Sequence, residues 1–183
     1  MSDKPTYLGL LNAISLGESA AECYLDAWAA TTCRDDVRGV IATVALREGE
    51  HGKAFAKRIC ELGYGLIPKP SADGAAKMAI ASSTELSDRE KFEQLQLGRP
   101  PKEGRDIFAS FFDDQTIDIQ TGALLGRYIA EERDTGRMFR NCYEQLCAEE
   151  SNTPKALTTS LEPLAAQLGR IEVLLEKLVA AQS

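Results

Sequence analysis

Glu18, Glu48 and His51 are polar residues that stand where apolar helix stripes should continue. A charge at a core-facing position is costly unless something pairs with it. These side chains must therefore be satisfied by one another, by protons or by a cation. Carboxylates supply charged oxygen donors and an imidazole supplies a borderline nitrogen, a set that suits iron, manganese or zinc. His51 is the only histidine of the chain. A lone histidine is as a rule structural, but this one follows a stripe glutamate by three residues and is level with another. That placement points to a metal ligand.

The stripes define the elements that position these residues. Tyr7, Leu11, Ile14, Ala21, Leu25 and Trp28 recur in steps of three and four, which predicts a helix over about 7–32. Val37, Ile41, Val44, Phe55, Ile59 and Leu62 predict a second helix over about 35–63. Asp35 or Asp36 is its expected cap, and Gly63-Tyr64-Gly65 ends it. So short a connection forces an antiparallel hairpin. Glu18 and Glu48 lie equally far from a turn at about Cys33, so they come level, and Glu48 and His51 share one helix face.

Beyond the hairpin, residues 64–84 form a connector rich in small residues, with a short helix in AAKMAIA. Ser87 or Asp88 opens a shorter amphipathic stretch that Gly98-Arg99-Pro100-Pro101 breaks, and helix resumes near Arg105. A last long helix is expected over about 116–149, with Leu125, Ile129, Phe139, Tyr143 and Leu146 on one face. After Pro154 comes a separate amphipathic helix, capped by Ser160, whose apolar residues Leu157, Leu161, Leu164, Leu168, Ile171, Leu175 and Leu178 follow heptad steps. It fits either a cover on the bundle or a seam between two copies. The expected organisation is a bundle over 7–149 and an additional C-terminal helix over 154–183.

Glu18 followed by Glu48-Gly49-Glu50-His51, an E-x-x-H, on successive antiparallel helices resembles the ferritin-like superfamily of ferritins, rubrerythrins and their di-iron carboxylate relatives. The resemblance implies an all-α, antiparallel four-helix bundle and a second copy of the hairpin. Laying residues 47–62 over 131–146 without a gap matches Glu48 with Glu132, Gly52 with Gly136, Phe55 with Phe139 and Leu62 with Leu146. The implied ligands are Glu18, Glu48, His51 and Glu132, holding one or two iron ions, with manganese or zinc as substitutes. Glu22 and Glu131 lie beside the stripes as replacements. The second half is degenerate, because His51 falls on Thr135 and Glu18 falls on Lys102, beside Glu103. Glu103, Glu93 and Glu90 are the third-helix carboxylates that remain. An interrupted third helix and a long connector do not suit a storage cage.

Composition narrows the function further. The 183 residues carry a formal charge of −7 with no run of Lys or Arg longer than a pair, which argues against nucleic-acid binding. No apolar stretch approaches the roughly 20 residues of a membrane span. The five cysteines contain no C-x-x-C pair and read as reduced thiols, several on apolar faces, so a cytoplasmic protein is expected. Trp28 and the cluster of Phe108, Phe111 and Phe112 read as core.

The site carries competing functions. One is redox chemistry of bound iron with dioxygen or peroxide. Another is a metal-free scaffold that dimerises through leucines, its glutamates sharing a proton or pairing with protonated His51, or with Arg47 or Arg133. A third is an oxygenase whose organic substrate lies where Ala13, Gly17, Ala20, Ala21 and Ala45 leave room. Whether the protein is an enzyme stays open at this point.

Overall fold

A computed structural model of the chain describes residues 4–99 and 108–152. It is all-helical, with no strand among the described residues. The long helices are α1 (Leu8–Thr31), α2 (Asp35–Glu61) and α5 (Ile119–Asn152), and the short ones are α3 (Gly74–Ala81) and α4 (Asp88–Gln94). No helix among the described residues is long and apolar enough to cross a membrane.

The α1–α2 hairpin forms where the stripes place it, and its ends show why. Thr32 leaves α1 in an extended conformation, and its hydroxyl accepts the Arg34 amide. Asp88 ties the turn down: Trp28 Nε1 donates to it at 2.6 Å and so does Thr32 Oγ1. The buried indole thereby keeps a partner for its N–H. Neither Asp35 nor Asp36 caps α2. Arg34 occupies the cap position with no side-chain bond, and both aspartates sit in the first turn, where they favour the positive end of the helix dipole. At the far end, Gly63 takes φ +84°, and Tyr64 N and Gly63 N return to the carbonyls of Ile59 and Cys60. That is a glycine-closed helix end.

The third bundle position is filled by fragments. α4 opens with a reciprocal capping box between Ser87 and Glu90. It closes through Gln96 at φ 58°, a left-handed position held by a non-glycine residue, which costs about 1 kcal/mol. The helix expected from Arg105 shows only a 3-10 turn, Ala109–Phe112, within the described residues. α5 starts at Ile119 because the Asp118 carboxylate accepts the Gln120 and Thr121 amides. Asp118 also receives Arg58 Nη2 and the Tyr7 hydroxyl, each at 2.8 Å, which binds the start of α5 to α2 and α1.

The core separates into two apolar clusters. One gathers Leu25, Trp28, Val44, Phe92, Phe139 and Leu146, among others. The other gathers Leu11, Ile14, Phe55, Ile59, Leu125 and Ile129. On α1 the gap between the clusters holds Glu18. On α2 it holds Glu48 and His51, and on α5 it holds Glu132. Each buried Leu, Ile or Phe contributes roughly 1.5–3 kcal/mol, so the two clusters stabilise the bundle on either side of a polar layer.

Two readings of side-chain placement need correction, those of the cysteines and of Phe112. Cys23, Cys33 and Cys60 are exposed and only Cys142 is buried, so the thiols are mostly surface groups. Trp28 is fully buried, whereas Phe112 is 46% exposed. Compact packing divides the chain after Leu146. The expected C-terminal helix over 154–183, with its heptad leucines, lies outside the described residues, as do Lys102 and Glu103.

Candidate metal centre

The hairpin and α5 bring Glu18, Glu48, His51 and Glu132 to one point, and one donor atom from each lies within 4.8 Å of all the others. Glu48 and His51 are each 4% exposed. His51 Nδ1 stands 3.7 Å from Glu48 Oε2 and 3.5 Å from Glu132 Oε1. These distances exceed ordinary hydrogen bonds. All three of these atoms are buried and lack any hydrogen-bond partner. Buried polar atoms without partners are rare and expensive, and each asks for an explanation. With metal–donor distances of about 2.1 Å, donors around a single ion stand roughly 3–4 Å apart. The cluster has that size, slightly expanded, and the residues fit a divalent metal.

The imidazole is oriented from behind. His51 Nε2 lies 2.7 Å from Glu131 Oε2, and Glu131 is itself held by Arg127 Nε at 3.0 Å. A proton on Nε2 donated to Glu131 leaves Nδ1 bare and aimed between Glu48 and Glu132. A carboxylate on the outer nitrogen is how metal-ligating histidines are commonly fixed. Glu131, considered from sequence as a replacement ligand, therefore stands on the far side of the His51 ring from the cluster. Glu22 is no replacement: its carboxylate pairs with Lys53 at 3.0 Å, over Gly49.

The protonation states record a surplus of negative charge. Burial and the neighbouring Glu48 carboxylate push Glu18 up to about 9. Burial, together with the charge of Glu48, raises Glu132. Burial alone would depress His51, but Glu132, Glu48 and Glu131 outweigh it and lift the imidazole to about 10. Glu48 is likewise pushed up by burial, yet its contacts with His51 and Glu18 bring it below the usual range. Without a cation the layer must take up protons.

No family model matches the chain. Comparisons with curated proteins and with solved structures find no match either.

The remaining sequence candidates are engaged elsewhere. Glu90 belongs to the capping box, and Glu93 binds Arg89 and Tyr143. Neither joins the cluster, so no third-helix carboxylate reaches it among the described residues. Arg47 does not neutralise the cluster. Its guanidinium binds Asp134, the Thr135 hydroxyl and the Glu131 carbonyl on α5. Thr135, standing where a second histidine would be, is buried in that contact.

Two tyrosines are additions from the structure. The Tyr128 hydroxyl donates to Glu18 Oε1 at 2.7 Å, and its ring meets the His51 ring edge-on with centroids 5.0 Å apart. Burial and the charges of Glu18 and Glu132 raise this phenol. Tyr24 is raised to about 12 by burial and by Glu48, Glu18 and Glu132. The signal for Tyr128 was its place one helical turn before Glu132, a spacing that faces both inward.

Of the small residues, Gly17 and Ala21 line an open pocket that reaches Glu18, Glu48 and Glu132. Ala13 and Ala20 line a neighbouring pocket against residues 69–78. Ala45 is core.

Proposed function

We propose that this chain is a metal-binding protein whose centre is Glu18, Glu48, His51 and Glu132, of the ferritin-like carboxylate–histidine type. The observation that carries the reading is the set of buried, partnerless atoms Glu48 Oε2, His51 Nδ1 and Glu132 Oε1 converging on one point. A cation there satisfies all of them at once, whereas a proton on His51 Nδ1 faces the two carboxylate oxygens at 3.7 and 3.5 Å, beyond ordinary hydrogen-bond length.

Iron is the metal this donor set and resemblance favour, and manganese or zinc fit the same ligands. Glu90 and Glu93 lie away from the cluster, so the four donors brought together suit one ion. Bound iron would supply redox chemistry with dioxygen or peroxide. The protein's own part is to hold the ion with charged oxygens, fix the imidazole through Glu131, and place the Tyr128 hydroxyl on Glu18.

A second reading rests on the Glu131–His51 contact. A protonated imidazole between Glu131, Glu48 and Glu132, with Glu18 neutral, balances much of the charge without metal. The chain would then be a degenerate bundle acting as a structural or dimerising module. Metal analysis of protein purified without chelator, followed by anaerobic Fe(II) titration of wild type and His51→Ala, separates the two. Uptake of one equivalent that His51→Ala abolishes is expected. Wild type that takes up no metal would leave the scaffold reading standing.

A further inference from the structure

A cavity of about 430 Å³ opens beside the candidate centre, with Glu18, Glu48 and Glu132 among its lining. Glu48 is more than nine-tenths buried, and its partnerless Oε2 stands 3.7 Å from His51 Nδ1, out of reach of solvent. The walls are apolar, formed by Ala21 and Leu25 of α1, Phe139 of α5, and Leu97. Tyr24, Thr135, Gln96 and an exposed Arg99 supply the polar remainder.

Glycines of three elements border this space. Gly17 and Gly136 sit inside long helices, line the cavity, and have no atom within 4 Å of where a side chain would begin. Gly52 is the contrast, since a Cβ there would stand 2.5 Å from Ser19 Oγ. The turn after α4 is pinned to α5 as well. A Cβ at Gly98 would stand 2.8 Å from Tyr143 Cβ and 3.1 Å from the Phe139 carbonyl oxygen. That close approach fixes where Arg99 emerges.

Resting on the metal reading above, the geometry points to this cavity as the binding site of a small carboxylate-bearing molecule with an apolar body. Its carboxylate lies on Arg99 and its apolar end lies toward the metal. Charge decides the orientation. Three carboxylates around a divalent ion leave that end of the cavity negative, so it rejects a further anion. A guanidinium is the group that matches a carboxylate fork. Leu25, Leu97 and Phe139 then enclose the body between the two ends.

The test uses hexanoate as probe and Co(II) as a paramagnetic stand-in for the native ion. NMR relaxation of hexanoate is read per bound Co(II), with Zn(II)-loaded protein as the diamagnetic control. In wild type the terminal methyl protons should relax more strongly than the methylene beside the carboxylate. Arg99→Glu should weaken hexanoate binding about tenfold or more, the loss of a charge-assisted contact. Gly136→Leu should abolish the effect by filling the cavity.

Co(II)-loaded protein that leaves hexanoate unrelaxed overturns this inference and leaves the metal site intact. So does the opposite gradient along the chain, or competition by hexan-1-ol as strong as by hexanoate. Failure of wild type to take up Co(II) overturns both.

Discussion

Glu131 gives the sharpest test of how the centre works, because it touches the imidazole and no other member of the ligand set. Its Oε2 lies 2.7 Å from His51 Nε2, and its carboxylate is 28% exposed. Under the metal reading it is a positioning residue that fixes the tautomer and raises the basicity of Nδ1. Removing such a partner typically weakens metal binding by about 10–100-fold. Glu131→Gln keeps an acceptor but loses the charge, so about a tenfold loss in Co(II) or Fe(II) affinity is expected, near 1.4 kcal/mol. Glu131→Leu loses both and should approach about a hundredfold. Titration calorimetry reads the affinity, and ¹⁵N NMR of the single histidine reads which nitrogen carries the proton. In apo Glu131→Leu the imidazolium should give up its proton at a lower pH than in wild type, because one of the carboxylates that raise it is gone. An affinity within about twofold of wild type in both variants would refute the orienting role. A large loss of apo-protein stability with no change in metal affinity would instead mark Glu131 as the counter-ion of a protonated His51.

Other perturbations test the frame that carries the site. Gly52→Ala drives a Cβ against Ser19 Oγ and within 3.1 Å of the Ser19 backbone nitrogen, so α1 and α2 must separate. A stability loss of about 1–3 kcal/mol by urea unfolding, with weakened metal uptake, is expected. Asp118→Ala removes the cap of α5 and a partner of buried Arg58, costing about 2 kcal/mol at pH 7 after allowing for a carboxylate that is 37% exposed. Asp118 is pushed up by burial, but its bonds to Thr121, Tyr7 and Arg58 hold it well below the usual range. Its contribution is therefore complete above about pH 4 and is lost as acid carries the pH down toward the native value. Wild type should lose stability more steeply than Asp118→Ala on that acid limb, as measured by denaturant midpoints. Tyr128→Phe removes the bond to Glu18 Oε1, leaving that half-buried carboxylate oxygen without its donor. Metal affinity should fall several-fold while the fold, read by circular dichroism, stays.

Much of this arrangement could be read from the sequence because polar residues broke an otherwise regular pattern. Glu18 and Glu48 declared themselves by interrupting stripes at equal distances from a hairpin turn, and His51 by sharing a face with Glu48. Glu132 emerged through the faint repeat of residues 47–62 in 131–146. The role of Glu131 was hidden, since a neighbour in sequence reaches the far nitrogen of His51 only when the ring takes one particular orientation. Tyr128 was hidden for a different reason: an aromatic residue on an apolar face looks like core until its hydroxyl is placed. The cap of α2 misled, because two aspartates beside a helix start suit the first turn as well as the cap. The turn through Gln96 gave no signal at all, as nothing in that residue type announces a left-handed conformation.

The polar layer between the two apolar clusters also governs how the molecule comes apart. Each cluster is held together by its own aromatic and aliphatic contacts, and the three long helices are the struts they share. When the layer holds only protons, the halves are coupled by the shared helices and by contacts such as Tyr128–Glu18, more weakly than an ion would couple them. A cation gripped by α1, α2 and α5 together joins the halves, because neither can then open without surrendering the ion. Backbone amides on the two sides would accordingly exchange with solvent at distinct rates in the bare protein and at a common, slower rate once the ion is bound.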